Sequence, residues 1–158
     1  MNEIRLAPPL IATMEAHARA TYPDECCGML IGPVPAGDGP RIVEAVEPAA
    51  NEFEGERRRR FVIPPEQLRA TERRLEASGR GVVGFYHSHP DHPARPSTFD
   101  RDHAWPWYAY LVLGVRSGAV DGLGAFELDP ESGEFAERPI VRSDGAGAGP
   151  VASGKASA

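Results

Sequence analysis

The sequence predicts an α/β domain, and three observations carry that prediction. Two segments repeat their apolar residues at helical spacing, and several short runs are rich in β-branched and aromatic residues. One run, Tyr108 to Val115, is apolar throughout, as expected of a central strand covered on both faces. Taken alone, this pattern supports a mixed α/β fold with several strands.

Residues 2–6 (NEIRL) read as a short edge strand. Pro8 and Pro9 open a helix from Leu10 to Ala20, with Leu10, Ile11, Met14 and Ala18 mostly on one face, and Tyr22-Pro23 ends it. Cys26 to Ile31 reads as a buried strand and Arg41 to Val46 as a half-exposed one, with Gly37-Asp38-Gly39 between them as a hairpin signal. Phe61 to Ile63 is a further strand. Pro64-Pro65-Glu66 starts a second helix running to about Ala77, with Leu68 and Leu75 inward and Gly79 as its stop. Val82 to His89 (VVGFYHSH) has the composition of a strand. Pro90, Pro93 and Pro96 favour an extended loop after it, and Ser97-Thr98-Phe99-Asp100 starts a short helix to about Ala104. Beyond Tyr108 to Val115, weaker strands near Val120–Leu128 and Glu134–Val141 close a domain of residues 1–142. Residues 143–158 are mostly glycine, alanine and serine, too poor in apolar surface to fold, and are expected to be a disordered tail.

A chain of 158 residues suits one domain with a sizeable core. It contains no run of eighteen apolar residues and no positive-then-apolar leader, so no membrane partner is expected and a cytoplasmic location is. Cys26 and Cys27 are sequence neighbours; a disulfide between them would be strained, which also favours a reducing compartment. They alternate across a strand, and no basic motif nearby argues for a reactive thiolate. A net charge of −6 leaves no basic footprint for nucleic acid, the run Arg57 to Arg60 excepted. The plain reading of that run is a solvated loop entering a strand; the sharper one is a docking surface for an acidic protein partner.

The chemistry concentrates in His87-Ser88-His89-Pro90, then Ser97 and Asp100. Side chains two apart on a strand share a face, so His87 and His89 point the same way. The proline-rich loop could return the chain so that Asp100 approaches them. Two neutral nitrogens and one hard oxygen suit Zn2+, with a fourth tetrahedral position left open, which separates a catalytic site from a structural one.

His-x-His, ten intervening residues and Asp, with Ser three before that Asp, resembles the JAMM metalloproteases, the active MPN+ branch of the MPN domain. That family places a glutamate upstream, before a small pair leading into an apolar strand, and Pro23-Asp24-Glu25-Cys26-Cys27-Gly28-Met29-Leu30-Ile31-Gly32 is similar to that element. The resemblance runs from about Ala7 to about Leu128 with every motif position filled. It implies an MPN fold, layered like cytidine deaminases, with a curved mixed β-sheet flanked by helices and zinc near the strand ends. It also implies His87, His89 and Asp100 as zinc ligands. Glu25 would be the general base, taking a proton from zinc-activated water and handing it to the departing amine. Ser97 would donate its hydroxyl to the oxyanion, a contact worth about 2.7 to 4 kcal/mol in comparable sites.

Each residue also has a plainer reading. Ser97 and Asp100 can be a helix cap, a role that competes in part with oxyanion donation. Glu25 can be a surface acid, and the two histidines can be packed and hydrogen-bonded. Singly these readings prevail; together, the spacing favours catalysis. Outside the motif, His17 is expected to be structural and His92 a rim contact. His103 shares Asp100's helical face and could sit close to the metal without binding it. Trp105, Trp107 and Tyr108 read as core or groove wall.

JAMM enzymes cut peptide or isopeptide bonds after the C-terminal Gly-Gly of ubiquitin-like proteins, and a short stand-alone chain is similar to their prokaryotic members. The resemblance therefore implies a zinc peptidase or isopeptidase acting on a ubiquitin-like or β-grasp sulfur-carrier protein, whose Gly-Gly tail lies along a sheet edge. Two other classes stand beside it. A non-catalytic MPN scaffold typically lacks part of the ligand set, which here is complete. A two-His-one-carboxylate iron enzyme usually spaces its ligands differently and needs no glutamate base.

Overall fold

The computed structural model describes residues 1–143. Along the chain run β1 (Ile4–Leu6), α1 (Pro8–Thr21), β2 (Cys27–Pro33), β3 (Arg41–Val43), β4 (Ala45–Ala49), α2 (Pro65–Leu75), β5 (Arg80–Pro90), α3 (Thr98–His103), β6 (Ala109–Arg116), β7 (Ala119–Leu128), β8 (Phe135–Arg138) and β9 (Ile140–Arg142). Six strands form a mixed sheet in the order β4-β2-β5-β6-β7-β8. Within this sheet β5 and β6 alone pair in parallel among the described residues, and the connection between them contains α3.

Helices flank this sheet on either side. Ile11, Met14 and Ala18 of α1 pack with Val83, Tyr86, Leu111, Leu113 and Val115 on one face. On the other, Met29, Val82 and Phe85 pack with Leu68 of α2 and with Ile63, Tyr108 and Tyr110. β6 is accordingly buried from Leu111 to Val115, as its unbroken apolar run predicts.

A bulge in β5 sets which residues face the functional side. Leu30 pairs with Gly84 but Ile31 with Val82, leaving Val83 unpaired. The extra residue resets the alternation, so Val82, Phe85, His87 and His89 share one side and Val83 and Tyr86 the other. Tyr86 crosses β2 at Gly28, where a Cβ would come within 2.2 Å of its ring. Its hydroxyl meets His17 Nδ1 at 2.8 Å, so His17 serves the packing of α1, as expected.

Several expectations are corrected. β1 is the central strand of a second, parallel sheet, β3-β1-β9, and Ile4 and Leu6 are fully buried. The single strand expected over Arg41–Val46 divides at Glu44: β3 joins β1, and β4 pairs with β2. The turn at Gly37-Asp38 therefore leads into the other sheet first, and the antiparallel partner of β2 is β4. The run Glu134–Val141 divides at Pro139, which has no N–H to give a ladder and whose carbonyl accepts from Ile4 N at 2.9 Å. Phe61–Ile63 is not a strand: Val62 N–H donates to Asn51 Oδ1 and its carbonyl accepts from Glu52 N, so local groups replace a ladder. The second helix stops at Leu75, short of Ala77, and Gly79 follows at φ +76°.

Cys26 and Cys27 are buried and free, and burial pushes their thiols up to about 11 and about 12, which disfavours the thiolate form at both. Among the described residues no helix is long and apolar enough to cross a membrane. The tail expected over 143–158 lies outside the described residues except for Ser143, whose N–H donates to Leu6 O at 3.3 Å.

Candidate functional site

The end of β5 presents His87 and His89 on the face shared with Phe85, both buried. Asp100, in the first turn of α3, closes the group. Its Oδ2 lies 3.0 Å from each imidazole Nε2, and the two Nε2 atoms are 3.2 Å apart. His89 Nδ1 is 3.1 Å from the Pro93 carbonyl, which can only accept, so Nδ1 carries a hydrogen and the ring turns Nε2 toward Asp100. Burial holds His87 below the ordinary imidazole range, with the Asp100 charge opposing. Burial pushes Asp100 upward, but the imidazoles and Ser97 N–H outweigh it and hold this carboxyl well below the usual carboxylate range.

Two imidazole Nε2 atoms and one carboxylate oxygen converge on a single point, the spacing of a set of ligand atoms around one cation. The three ligand atoms form a triangle with edges of 3.0, 3.0 and 3.2 Å. Ligands at about 2.0–2.1 Å from a tetrahedral zinc lie about 3.3 Å apart, so the donor set fits that ion.

Ser97 caps α3 with its side chain: Asp100 N–H donates to Ser97 Oγ at 3.1 Å, while Ser97 N–H donates to Asp100 Oδ2 at 2.8 Å. The cap uses a lone pair of the hydroxyl and leaves its hydrogen available, so capping and oxyanion donation do not exclude one another. One four-residue cap thus orients both the carboxylate and the serine.

Glu25 lies immediately before β2 and is 3% exposed. Backbone bonds on both sides fix it. Its N–H donates to Arg57 O at 2.7 Å, and Asn51 Nδ2 donates both to Glu25 O at 3.1 Å and to Arg60 O at 3.0 Å. Cys26 N–H donates to Ser88 Oγ at 2.8 Å, and Ser88 N–H to Cys26 O at 3.1 Å, which ties the glutamate segment to the histidine strand. Glu25 Oε1 is buried without a partner. Burial, then the nearby Asp100 charge, pushes this carboxyl up to about 9, with Arg60 opposing. A cation beside Asp100 would offset part of that push and favour the ionised carboxyl.

Two cavities flank the three ligands. A cleft of about 400 Å³ is lined by Glu25, His89 and Ser97 together with Arg59, Arg60 and Arg95. An apolar cavity of about 290 Å³ on the other side is lined by His87, Asp100, Phe61, Phe99, Trp105 and Tyr110 among others.

The structure therefore brings together all five residues singled out by the motif. His92 also lines the basic cleft, as a rim contact should. His103 reaches no ligand atom: its ring stacks on Phe99 at 4.0 Å and its Nδ1 lies 2.8 Å from Phe99 O. Trp105 is groove wall, Tyr108 packs on Phe85, and Trp107 lies under the Arg41 guanidinium. Three contributors are not visible in the motif. Ser88 faces away from the ligands and acts as a clamp; its only signal is a polar residue inside an apolar strand. Asn51 could be suspected as a turn-forming residue. Phe61, whose ring stacks on His87 at 4.5 Å and 24°, carries no signal of its own.

Known proteins are similar to this chain along most of its length. The family described as prokaryotic homologs of the JAB domain matches residues 7–128. The desampylase of Haloferax volcanii is 40% identical over 116 residues, 70% of this chain and 80% of its own. The CysO-cysteine peptidase of Mycobacterium tuberculosis is 38% identical over 134 residues, 83% of this chain and 85% of its own. Among solved structures, a Desulfitobacterium hafniense protein superposes with a TM-score of 0.75 at 29% identity, covering 89% of this chain and 93% of its own. A JAB1/MPN domain protein from Archaeoglobus fulgidus shares the fold, with a TM-score of 0.53 at 19% identity over 90% of this chain and all of its own. The chain belongs to the family of prokaryotic homologs of the JAB domain.

Proposed function

We propose that this chain is a zinc-dependent peptidase or isopeptidase that hydrolyses the bond after the C-terminal Gly-Gly of a ubiquitin-like or sulfur-carrier protein. Hydrolysis of a small modifier's conjugates is supported by relatives that are a desampylase and a CysO-cysteine peptidase. The observation that carries the reading is the meeting of two imidazole nitrogens and one aspartate oxygen near Glu25, whose buried Oε1 has no partner.

His87, His89 and Asp100 would hold the zinc, which when bound supplies a Lewis acid that makes water a nucleophile at neutral pH. Glu25 Oε1 would take the proton of the attacking water and return it to the departing nitrogen. The Ser97 hydroxyl would donate to the oxygen of the scissile carbonyl as negative charge develops there. The apolar wall formed by Phe61, Phe99, Trp105 and Tyr110 would line the acyl side. The segment beside it could also dock an extended tail. Val62 spends its backbone groups on Asn51 and Glu52, whereas Phe61 and Ile63 make no backbone bond among the described residues. That leaves an edge for a Gly-Gly tail.

The test is intact-mass analysis of ubiquitin-like and sulfur-carrier proteins extended past Gly-Gly, incubated with the zinc-loaded protein. Release of the extension with the new C-terminus at Gly-Gly supports the proposal; cleavage elsewhere, or none in any carrier, counts against it.

A further inference from the structure

The cleft beside Glu25 carries more positive charge than the proposed hydrolysis uses, since of its arginines Arg60 alone acts on the Glu25 carboxyl. Arg59, Arg60 and Arg95 line it. Arg57, from the same run, is occupied elsewhere, donating Nε to Phe53 O at 2.9 Å. Among the described residues none of the three lining arginines is ion-paired with a carboxylate, although Arg5, Arg74, Arg80, Arg101, Arg116 and Arg138 all are. Arg60 is held in place, its guanidinium carbon 4.4 Å from the centre of the Phe99 ring, and its buried Nε has no partner. The run is thus split, with Arg59 and Arg60 turned to the site rather than forming a uniform solvated face.

The position of Glu25 decides which half of a substrate meets these charges. This step rests on the function proposed above. A base that returns its proton to the departing nitrogen must lie within hydrogen-bond reach of that nitrogen, so the leaving group fills the cleft that Glu25 lines. The acyl half takes the apolar side, where a Gly-Gly tail brings no charge. Leaving groups differ sharply in charge near the scissile nitrogen. A single amino acid joined through its α-nitrogen places a carboxylate one carbon beyond the Cα that bears this nitrogen. A lysine joined through Nζ places four uncharged methylenes there. Arginine suits a carboxylate, offering paired donors and a fixed charge.

We propose that Arg59, Arg60 and Arg95 form a carboxylate-recognising subsite for the leaving group, so that the protein prefers carriers bearing a single α-linked amino acid over carriers joined to a lysine side chain. In that reaction water adds its oxygen to the glycine carbonyl carbon, the C–N bond breaks, and the amino acid departs with the proton from Glu25. Its free carboxylate is held by the arginines throughout.

The experiment compares a Gly-Gly carrier extended by one alanine, made as the free acid and as the C-terminal carboxamide, with two readouts. kcat/KM is measured on the zinc-loaded protein, and Kd on its zinc-loaded Glu25→Ala variant, which reads binding without turnover. The acid should exceed the amide by about tenfold or more in both, and Arg95→Gln and Arg59→Gln should bring the ratio toward one. Equal values for acid and amide overturn the subsite. So does an equal loss of both ligands in the arginine variants, which would mark the arginines as a general docking surface. If neither substrate is cleaved, the proposed hydrolysis fails, yet the Kd ratio still decides the subsite.

Discussion

Replacing Glu25 by Gln should stabilise the metal-free protein near neutral pH, and the size of the effect follows from the burial of this carboxyl. An unfolded glutamate titrates near 4.5, whereas the folded one is pushed up to about 9, first by burial and then by Asp100. Between these values the native state keeps a proton that the unfolded state has lost. The native state therefore binds more protons, and stability falls as pH rises through the window, by about 1.36 kcal/mol per pH unit. Relative to Gln, which does not titrate, the penalty is under about 1 kcal/mol at pH 5, about 3 kcal/mol at pH 7 and about 4 to 5 kcal/mol at pH 8. The buried amide of Gln adds an offset that does not vary with pH, so the diagnostic quantity is the slope. Urea midpoints of both proteins, stripped of metal with a chelator, would give it across pH 5 to 8. Parallel stability curves would refute the reasoning and mean that Glu25 is ionised in the fold. Zinc should shrink the gap between the two proteins, because a cation beside Asp100 favours the ionised carboxyl.

Other perturbations separate roles that the geometry superimposes. Asp100→Asn removes the only anionic ligand atom, and chelator competition should show zinc affinity lowered at least about a hundredfold. Ser97→Ala should cost about 1 kcal/mol of stability through the lost cap and about a hundredfold or more in kcat. Ser97→Asp keeps a capping oxygen but no hydrogen to donate, so thermal melts should show stability largely recovered while kcat stays low. Ser88→Ala leaves the buried Cys26 N–H without its acceptor, and should cost about 1 to 3 kcal/mol in urea melts and lower kcat with little change in zinc content.

The site was legible in the chain because its grammar is local. Alternation along a strand puts His87 and His89 on one face whatever the partners of that strand, and Ser-x-x-Asp caps a helix wherever it stands. Hence the three candidate ligands and the capping serine lie within about fifteen residues of sequence, while the serine's part in catalysis was implied by the family resemblance. The expectations that failed depended on distant partners. Nothing in Ile4–Leu6 says that it pairs with strands starting at Arg41 and Ile140, so it read as an edge although it is a centre. The break at Glu44 arises because β3 and β4 answer to different sheets, which no local pattern encodes. Phe61–Ile63 has strand composition, but Asn51 takes the backbone bond that a ladder would need. Ser88 was hidden by its own geometry, since alternation places it on the face away from the histidines, where its role is to hold Cys26 and so Glu25.

The most direct test of the account measures zinc content and turnover on the same preparations of wild type and Glu25→Ala, with iron measured alongside. The account predicts one zinc per chain in both, bound by His87, His89 and Asp100, with release at Gly-Gly by wild type alone. Loss of zinc from the variant would make Glu25 a ligand rather than the base. Undiminished cleavage by the variant, or iron with oxygen-dependent turnover in place of hydrolysis, would contradict the mechanism outright.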